Sequence, residues 1–190
     1  MTAPAPGAAR RRPRTGEAVR AGYVEHGVDG YYQRVAATYH NPHEPLIAEA
    51  IALAHARRPL PLGAVLDLAC GSGEATRALE ALGARRIDGV DPYTAPAWRA
   101  RTGRDARPLT FADVAAGALD GACYDLIVCS FALHLAAPSR LPGITWALAR
   151  LAPELLITSP HKRPPIEHGW TLIDAFIHRR VHLRRFQSTL

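Results

Sequence analysis

Lysine is almost missing from this chain of 190 residues: Lys162 is the one lysine among 23 basic residues, and arginine supplies the rest. Alanine is abundant and proline reaches 16 residues, so the proline content belongs to a chain-wide compositional bias and is not a mark of disorder. Cysteine is scarce. Cys70, Cys123 and Cys129 show neither CxxC nor Cys/His ligand spacing, which excludes a disulfide scaffold and a thiolate metal centre and predicts buried, reduced thiols in a cytoplasmic protein. No metal site is expected. No apolar run approaches the ~18 residues that a membrane span requires. The early arginines are not followed by an apolar signal core, so secretion is not expected either. Internal repeats are absent.

What is present fits one soluble globular domain with a sizeable core: 48% hydrophobic and 21% charged residues. The net charge of +6 is carried by the ends. Residues 1–20 hold five arginines against Glu17, and the last sixteen hold Arg179, Arg180, Arg184 and Arg185. The span between is slightly acidic. A basic tail can touch nucleic acid, but residues 1–20 lack periodicity and read first as a disordered, solvated leader.

Residues 21–60 begin with an aromatic and polar stretch, Tyr23 to Tyr39, broken by glycines. The turn Asn41-Pro42-His43-Glu44-Pro45 then launches a helix through Leu46–Ala54, with Pro45 in its first turn. From residue 61 strands alternate with helices. Strands are predicted at Val65–Leu68, Arg86–Val90, Pro108–Phe111, Tyr124–Cys129 and Leu155–Thr158, with helices at 74–82 and 141–151 between them. Alternation of this kind implies parallel strands with right-handed crossovers and helices on both faces. Residues 170–188 carry β-branched and aromatic residues with partial alternation and are read as a closing antiparallel pair.

The densest signal is Val65-Leu66-Asp67-Leu68-Ala69-Cys70-Gly71-Ser72-Gly73, which runs straight into the helix formers Glu74 to Glu80. A strand, a glycine turn and a helix N-terminus let a ligand lie against bare backbone. A dinucleotide fingerprint asks for a third glycine where this chain has Thr76. The carboxylate Asp67 precedes the glycines and points to a ligand that carries positive charge. Asp91-Pro92 follows the second strand, where an acidic side chain can accept from both hydroxyls of a ribose, or can simply shape a turn.

DLACGSG resembles motif I of the class I S-adenosylmethionine (SAM) methyltransferases, with Ala69 in place of the first glycine. The resemblance covers residues 60 to about 160 and is poor at the ends. It implies an α/β fold: a Rossmann-like, doubly wound, mostly parallel sheet in a three-layer α/β/α sandwich, ending in an antiparallel pair. It also implies SAM as cofactor, S-adenosylhomocysteine as product, and cofactor contacts at Asp67, Ala69, Gly71, Ser72, Gly73, Asp91 and Pro92. Asp113 and Val114, in Phe111-Ala112-Asp113-Val114, take the family's adenine place. Ser130 and Phe131, in a segment similar to motif IV, take the rim beside the methyl group. This segment is not the Asn/Asp-Pro-Pro-Tyr type that amino-methylates bases or glutamine, which lowers the nucleic-acid reading.

His134, just past the fourth strand, is the candidate general base, with Tyr32 a second catalytic candidate. The N-terminal segment, residues 21–60, takes the place of a helical lid over a core of residues 61–190, and Tyr31, Tyr39 and His43 are its acceptor-contact candidates. Lys162, retained against the arginine bias beside His161 and Arg163, is a candidate for a substrate carboxylate or phosphate. The implied activity is O- or N-methyl transfer to a small molecule, in specialised metabolism, by a monomer or homodimer. Three alternatives remain open: intramolecular cyclisation of SAM, RNA methylation, and non-catalytic SAM binding. Asp67→Ala and Asp91→Ala are each expected to weaken SAM binding strongly; wild-type affinity by calorimetry in both variants would exclude the assignment.

Overall fold

The computed structural model describes Gly30, residues 40–162 and residues 164–190. Its elements run in the order α1 (Glu44–Arg57), β1 (Ala64–Leu68), α2 (Glu74–Ala81), β2 (Arg86–Val90), α3 (Ala95–Thr102), β3 (Ala106–Arg107), α4 (Phe111–Ala115), β4 (Leu126–Ser130), α5 (Leu141–Ala149), β5 (Glu154–Ser159), β6 (Trp170–His178) and β7 (Val181–Ser188). Two short 3₁₀ turns, Leu133–Leu135 and Pro138–Arg140, lie between β4 and α5.

The strands form one seven-stranded sheet of order β3-β2-β1-β4-β5-β7-β6. β1 pairs in parallel with β2 and β4, and β5 pairs in parallel with β4. β7 runs antiparallel between β5 and β6. This is the Rossmann-like, mostly parallel sheet that the alternation predicts, closed by the antiparallel pair. All five residues of β1 are buried, as expected where helices cover both faces of a parallel strand. On one face Ile47 and Ile51 of α1 and Leu79 of α2 pack with Val65, Leu126, Val128 and Leu156. On the other, Val114 of α4 and Ile144 and Leu148 of α5 pack with Leu66, Leu68, Ile127 and Ile157. The strand order reverses between β1 and β4, so the ligand crevice of such a sheet opens at the C-terminal ends of these two strands.

Several expectations shift. The third strand is only Ala106–Arg107; Phe111, expected to end it, starts α4, because Thr110 and Asp113 form a capping box there. Cys70 and Cys129 are buried, but Cys123 is exposed, since it closes the turn ahead of β4 instead of entering the strand. The helix in residues 21–60 is longer than expected, and its Ile47, Ala50, Ile51 and Ala54 belong to the core. The leader, residues 1–20, lies outside the described residues. No helix among the described residues is long and apolar enough to cross a membrane.

The glycines of β2 and the motif turn serve one side chain. Trp98 is fully buried between Gly73 and Gly89. A Cβ at position 89 would stand 2.8 Å from Trp98 Cε2 and Cζ2 and 3.0 Å from Cys70 Sγ. Burying an aromatic ring removes roughly 150–250 Å² from water, ~4–6 kcal/mol at ~25 cal/mol per Å², and that gain depends on position 89 carrying no side chain. Gly89→Ala is expected to lower stability by about 1–3 kcal/mol through overpacking, measured by urea denaturation; an unchanged midpoint would show that the indole can move.

Candidate functional site

β1 ends in Leu68, and the chain turns at Ala69 with φ 58°. The left-handed conformation costs alanine roughly 1–2 kcal/mol that glycine avoids. Gly71 and Gly73 also have positive φ, 58° and 94°. At Gly73 a Cβ would meet Thr102 Cγ2 at 3.0 Å and Trp98 Cδ1 at 3.3 Å, so this glycine lets α3 close on the turn. Beyond it α2 begins, and a cavity of about 450 Å³ opens over the turn. That size lies within the ~300–1,000 Å³ usual for small-molecule sites.

Asp67 lies fully buried on the cavity wall. Its Oδ2 accepts hydrogen bonds from the Thr76 backbone N–H at 3.0 Å and the Thr76 hydroxyl at 2.5 Å. The same hydroxyl oxygen accepts from Trp98 Nε1 at 3.2 Å. Asp67 Oδ1 is buried with no hydrogen-bond partner among the described residues. A buried carboxylate oxygen of this kind is costly unless something cationic or donating meets it. The free oxygen therefore fits the methionine ammonium or sulfonium end of SAM. Burial pushes the Asp67 carboxyl up to about 7 against the Thr76 hydrogen bonds, with the nearby Glu74 carboxylate adding to the rise.

Asp91, at the end of β2, is also buried. Its Oδ2 accepts from the Gly71 N–H at 3.2 Å, and its Oδ1 accepts from the Tyr93 and Thr94 N–H groups at 2.9 Å each. The turn reading and the ribose reading thus meet in one residue: the carboxylate shapes the loop and faces the cavity. With three of roughly four lone-pair positions occupied, one remains for a ligand hydroxyl. Pro92 lines the same wall. Ser130 and Phe131 form the opposite rim. The Ser130 hydroxyl shares a hydrogen bond with that of Thr158 at 2.8 Å. Phe131, at φ 55°, stacks on His43 with ring centroids 5.3 Å apart. His43 therefore supports the wall from behind.

Four expected contacts are not brought to the cavity. Ser72 is buried, with its N–H and hydroxyl both committed to the Glu74 carboxylate. Gly73 donates its N–H to the Cys70 carbonyl. Asp113 is an exposed capping residue whose Oδ2 accepts from Thr110 N–H and Oγ1, and this capping holds its carboxyl below the ordinary aspartate value. Val114 is buried in the core, and its N–H donates to the Thr110 carbonyl. Leu109, Thr110, Phe111 and Ala112 line the cavity instead, so an adenine ring would meet the start of α4 one turn earlier than the motif implies. Tyr31, Tyr32 and Tyr39 lie outside the described residues.

His134 and Lys162 come together, but on a second cavity of about 510 Å³. The two cavities share the wall residue Ala136. Burial, then the neighbouring His161, lowers the His134 pKa, which leaves the imidazole neutral at neutral pH and able to accept a proton.

Sequence reasoning missed a polar clamp. Glu74 lines the first cavity, and its Oε1 accepts from the Asn41 N–H at 2.9 Å and from Arg101 Nη1 at 3.3 Å. Arg101 also donates to Ser72 Oγ at 2.9 Å and to Glu44 of α1. Thr76 was visible in the sequence only as a failed glycine, yet it holds Asp67. No spacing rule exposes Arg101, 27 positions from Glu74.

Residues 65–153 match a family model described as a methyltransferase domain. An uncharacterised Schizosaccharomyces pombe protein is 32% identical over 90% of this chain and 92% of its own length. The fold is similar to that of N-methyltransferase NodS from Bradyrhizobium japonicum in complex with S-adenosylhomocysteine (TM-score 0.63, 16% identity, 90% of this chain and 98% of that one). It is also similar to magnesium protoporphyrin IX methyltransferase from Synechocystis with bound SAM (TM-score 0.57, 17% identity, 95% and 100%). A putative RNA methyltransferase from Pyrococcus horikoshii shares it as well (TM-score 0.58, 16% identity, 82% and 88%).

Because the folded Asp67 pKa of about 7 lies above its unfolded value, the folded protein holds the extra proton between about pH 4 and 7. Stability from this group is therefore lost as pH rises through that window. Cofactor binding runs the other way, since the cation meets the deprotonated carboxylate. SAM affinity is expected to rise about tenfold from about pH 6 to about pH 8. Calorimetry checks this, and Asp67→Asn should abolish the slope.

Proposed function

We propose that this chain, whose residues 65–153 match a methyltransferase domain, is a class I SAM-dependent methyltransferase that transfers a methyl group to an oxygen or nitrogen of a small-molecule acceptor. The observation that carries this reading is the pairing of two pockets of similar volume that share the wall residue Ala136, each of a size that suits a small molecule. The arginine run of residues 1–20 lies outside the described residues and lends the RNA reading no geometry.

When bound, SAM supplies an electrophilic sulfonium methyl, displaced in line, and departs as S-adenosylhomocysteine. The chain supplies position and dryness. Asp67 Oδ1 and the remaining acceptor position of Asp91 orient the cofactor, and the positive-φ turn at Ala69 and Gly71 brings backbone close to it. Phe131, Leu135 and Ile144 line the cavity with apolar surface, which excludes water from the transfer. Alignment of this kind can supply roughly 7–11 kcal/mol of barrier lowering. His134 takes the proton of an acceptor that is protonated at neutral pH; it sits on the acceptor side, neutral, with a buried Nδ1 that has no partner among the described residues. We place the enzyme in the cytoplasm, in keeping with its free cysteines.

The test follows methyl-labelled SAM incubated with the protein and either the small-molecule ultrafiltrate or the RNA fraction of a cell extract. Label in the ultrafiltrate together with S-adenosylhomocysteine is the expected result. Label in RNA would replace the proposed acceptor class, methylthioadenosine alone would indicate cyclisation, and bound cofactor without turnover would indicate a binding protein. His134→Asn is expected to slow transfer by about 10²-fold or more while leaving SAM affinity unchanged.

A further inference from the structure

The second cavity has an unusual charge arrangement for a wall built largely of proline and aliphatic side chains. Lys162, His134 and His168 line it, with Glu167 the one carboxylate on the wall. No ion pair joins Lys162 to any carboxylate among the described residues, although nine arginine–carboxylate pairs are formed among them. Thr145, also on the wall, spends its hydroxyl proton on the helix carbonyls of Leu141 and Pro142.

Behind the wall stands Arg184. Its Nη1 donates to the carbonyl of the wall residue Pro164 at 2.6 Å, whereas Nε and Nη2 are buried without hydrogen-bond partners among the described residues. Arg184 lies opposite Ile157 in the β5–β7 register and so shares the sheet face of Ile157, Ile144 and the α5 side of the cavity. Burial depresses its pKa, with no carboxylate to offset the cost. Its guanidinium carbon lies 5.8 Å from the Phe186 ring centroid, and a half-buried guanidinium without a carboxylate partner is costly enough to gain from an anion.

The cofactor side of the arrangement explains why the charge stands where it does. Within one continuous segment, Leu135, Ala137 and Arg140 face the cofactor cavity, while His134 and Pro138 face the second chamber, and Ala136 faces both. This segment is the wall common to the two pockets.

We propose that the second cavity is an oxyanion site that holds a carboxylate or phosphate group of the methyl acceptor, with Lys162 as its direct ligand and Arg184 supplying positive charge from behind. The inference rests on the methyl-transfer reading only for the word acceptor; the oxyanion site itself does not depend on it. Counted together, Lys162 on the wall and Arg184 behind it outweigh Glu167 by one formal charge, and Glu167 remains open to a donor group on the same ligand. His134 then stands beside the anchored molecule, where its imidazole can receive the acceptor proton.

The experiment titrates the full chain with sodium acetate and, separately, inorganic phosphate at constant ionic strength, and follows the imidazole NMR signals of all nine histidines. His134 and His168 are expected to shift saturably, in roughly the millimolar range, while His55 and His182, off the cavity, stay in place. The anion that saturates at lower concentration identifies the group. Lys162→Gln, at an exposed position, is expected to weaken that affinity about tenfold, as loss of a charge-assisted contact does. Arg184→Gln is expected to weaken it as well, and Arg99→Gln, on an exposed face of α3, to leave it unchanged. The proposal fails if neither anion gives a saturable shift, if all nine histidines follow salt together, or if Lys162→Gln binds as the parent does. SAM calorimetry on the same samples separates the two readings: loss of the anion site with normal SAM affinity overturns only this inference, whereas an intact anion site without SAM binding overturns only the methyl-transfer reading.

Discussion

The buried carboxylate of Asp67 is the interaction on which the rest of the site depends. A charge placed inside β1 is unfavourable, and three neighbours make it tolerable on one oxygen only: the Thr76 N–H, the Thr76 hydroxyl and, through that hydroxyl, the Trp98 indole. The other oxygen is left without a partner at the cavity wall. The folded protein thereby carries a deficit of hydrogen bonding that a cationic ligand makes good, so stability and affinity draw on the same group with opposite sign. The glycines follow from this arrangement. Trp98 reaches Thr76 because Gly73 and Gly89 leave room for the indole.

A second polar network ties the N-terminal part of the domain to the motif turn. Glu74 holds the Asn41 N–H, and Arg101 spans Glu74, Ser72 and Glu44. The Glu74 side chain is 5% exposed and that of Arg101 21%, so salt screens this pair less than it would a surface pair. The consequence is geometric: α1, Asn41 and the His43–Phe131 stack are positioned relative to the same glycine turn that lines the first cavity.

Much of the fold was legible because its signals are local. Strands one, four and five announced themselves as apolar runs, strand two by its place in the alternation before Asp91, and Pro45 marked the first turn of α1. The third strand misled because it is two residues long and pairs at only Gly89–Ala106 and Val90–Arg107; Pro108 to Phe111 has the better strand composition, but the Thr110–Asp113 capping box turns it into a helix start. The same box removed Asp113 from the cavity, since a carboxylate engaged in capping its own helix faces away from the crevice. Cys123 misled for the opposite reason: its neighbours are apolar, but the turn before β4 leaves it in solvent.

By itself, the sequence determined the fold class and the place of the glycine turn beside Asp67, because strand, turn and helix follow one another without interruption from Val65 to Glu80 and a buried aspartate can be recognised within an apolar run. It also determined that Asp91 would stand at the crevice, since the end of a parallel strand next to β1 has nowhere else to go. Only the tertiary structure decided which atoms are free. That Asp67 keeps one oxygen open, that Ser72 and Asp113 spend theirs on neighbours, and that Lys162, His134 and Arg184 gather around a second chamber all depend on contacts between residues far apart in the chain. Hydrogen-bond saturation is a property of three-dimensional neighbours, and no local pattern encodes it.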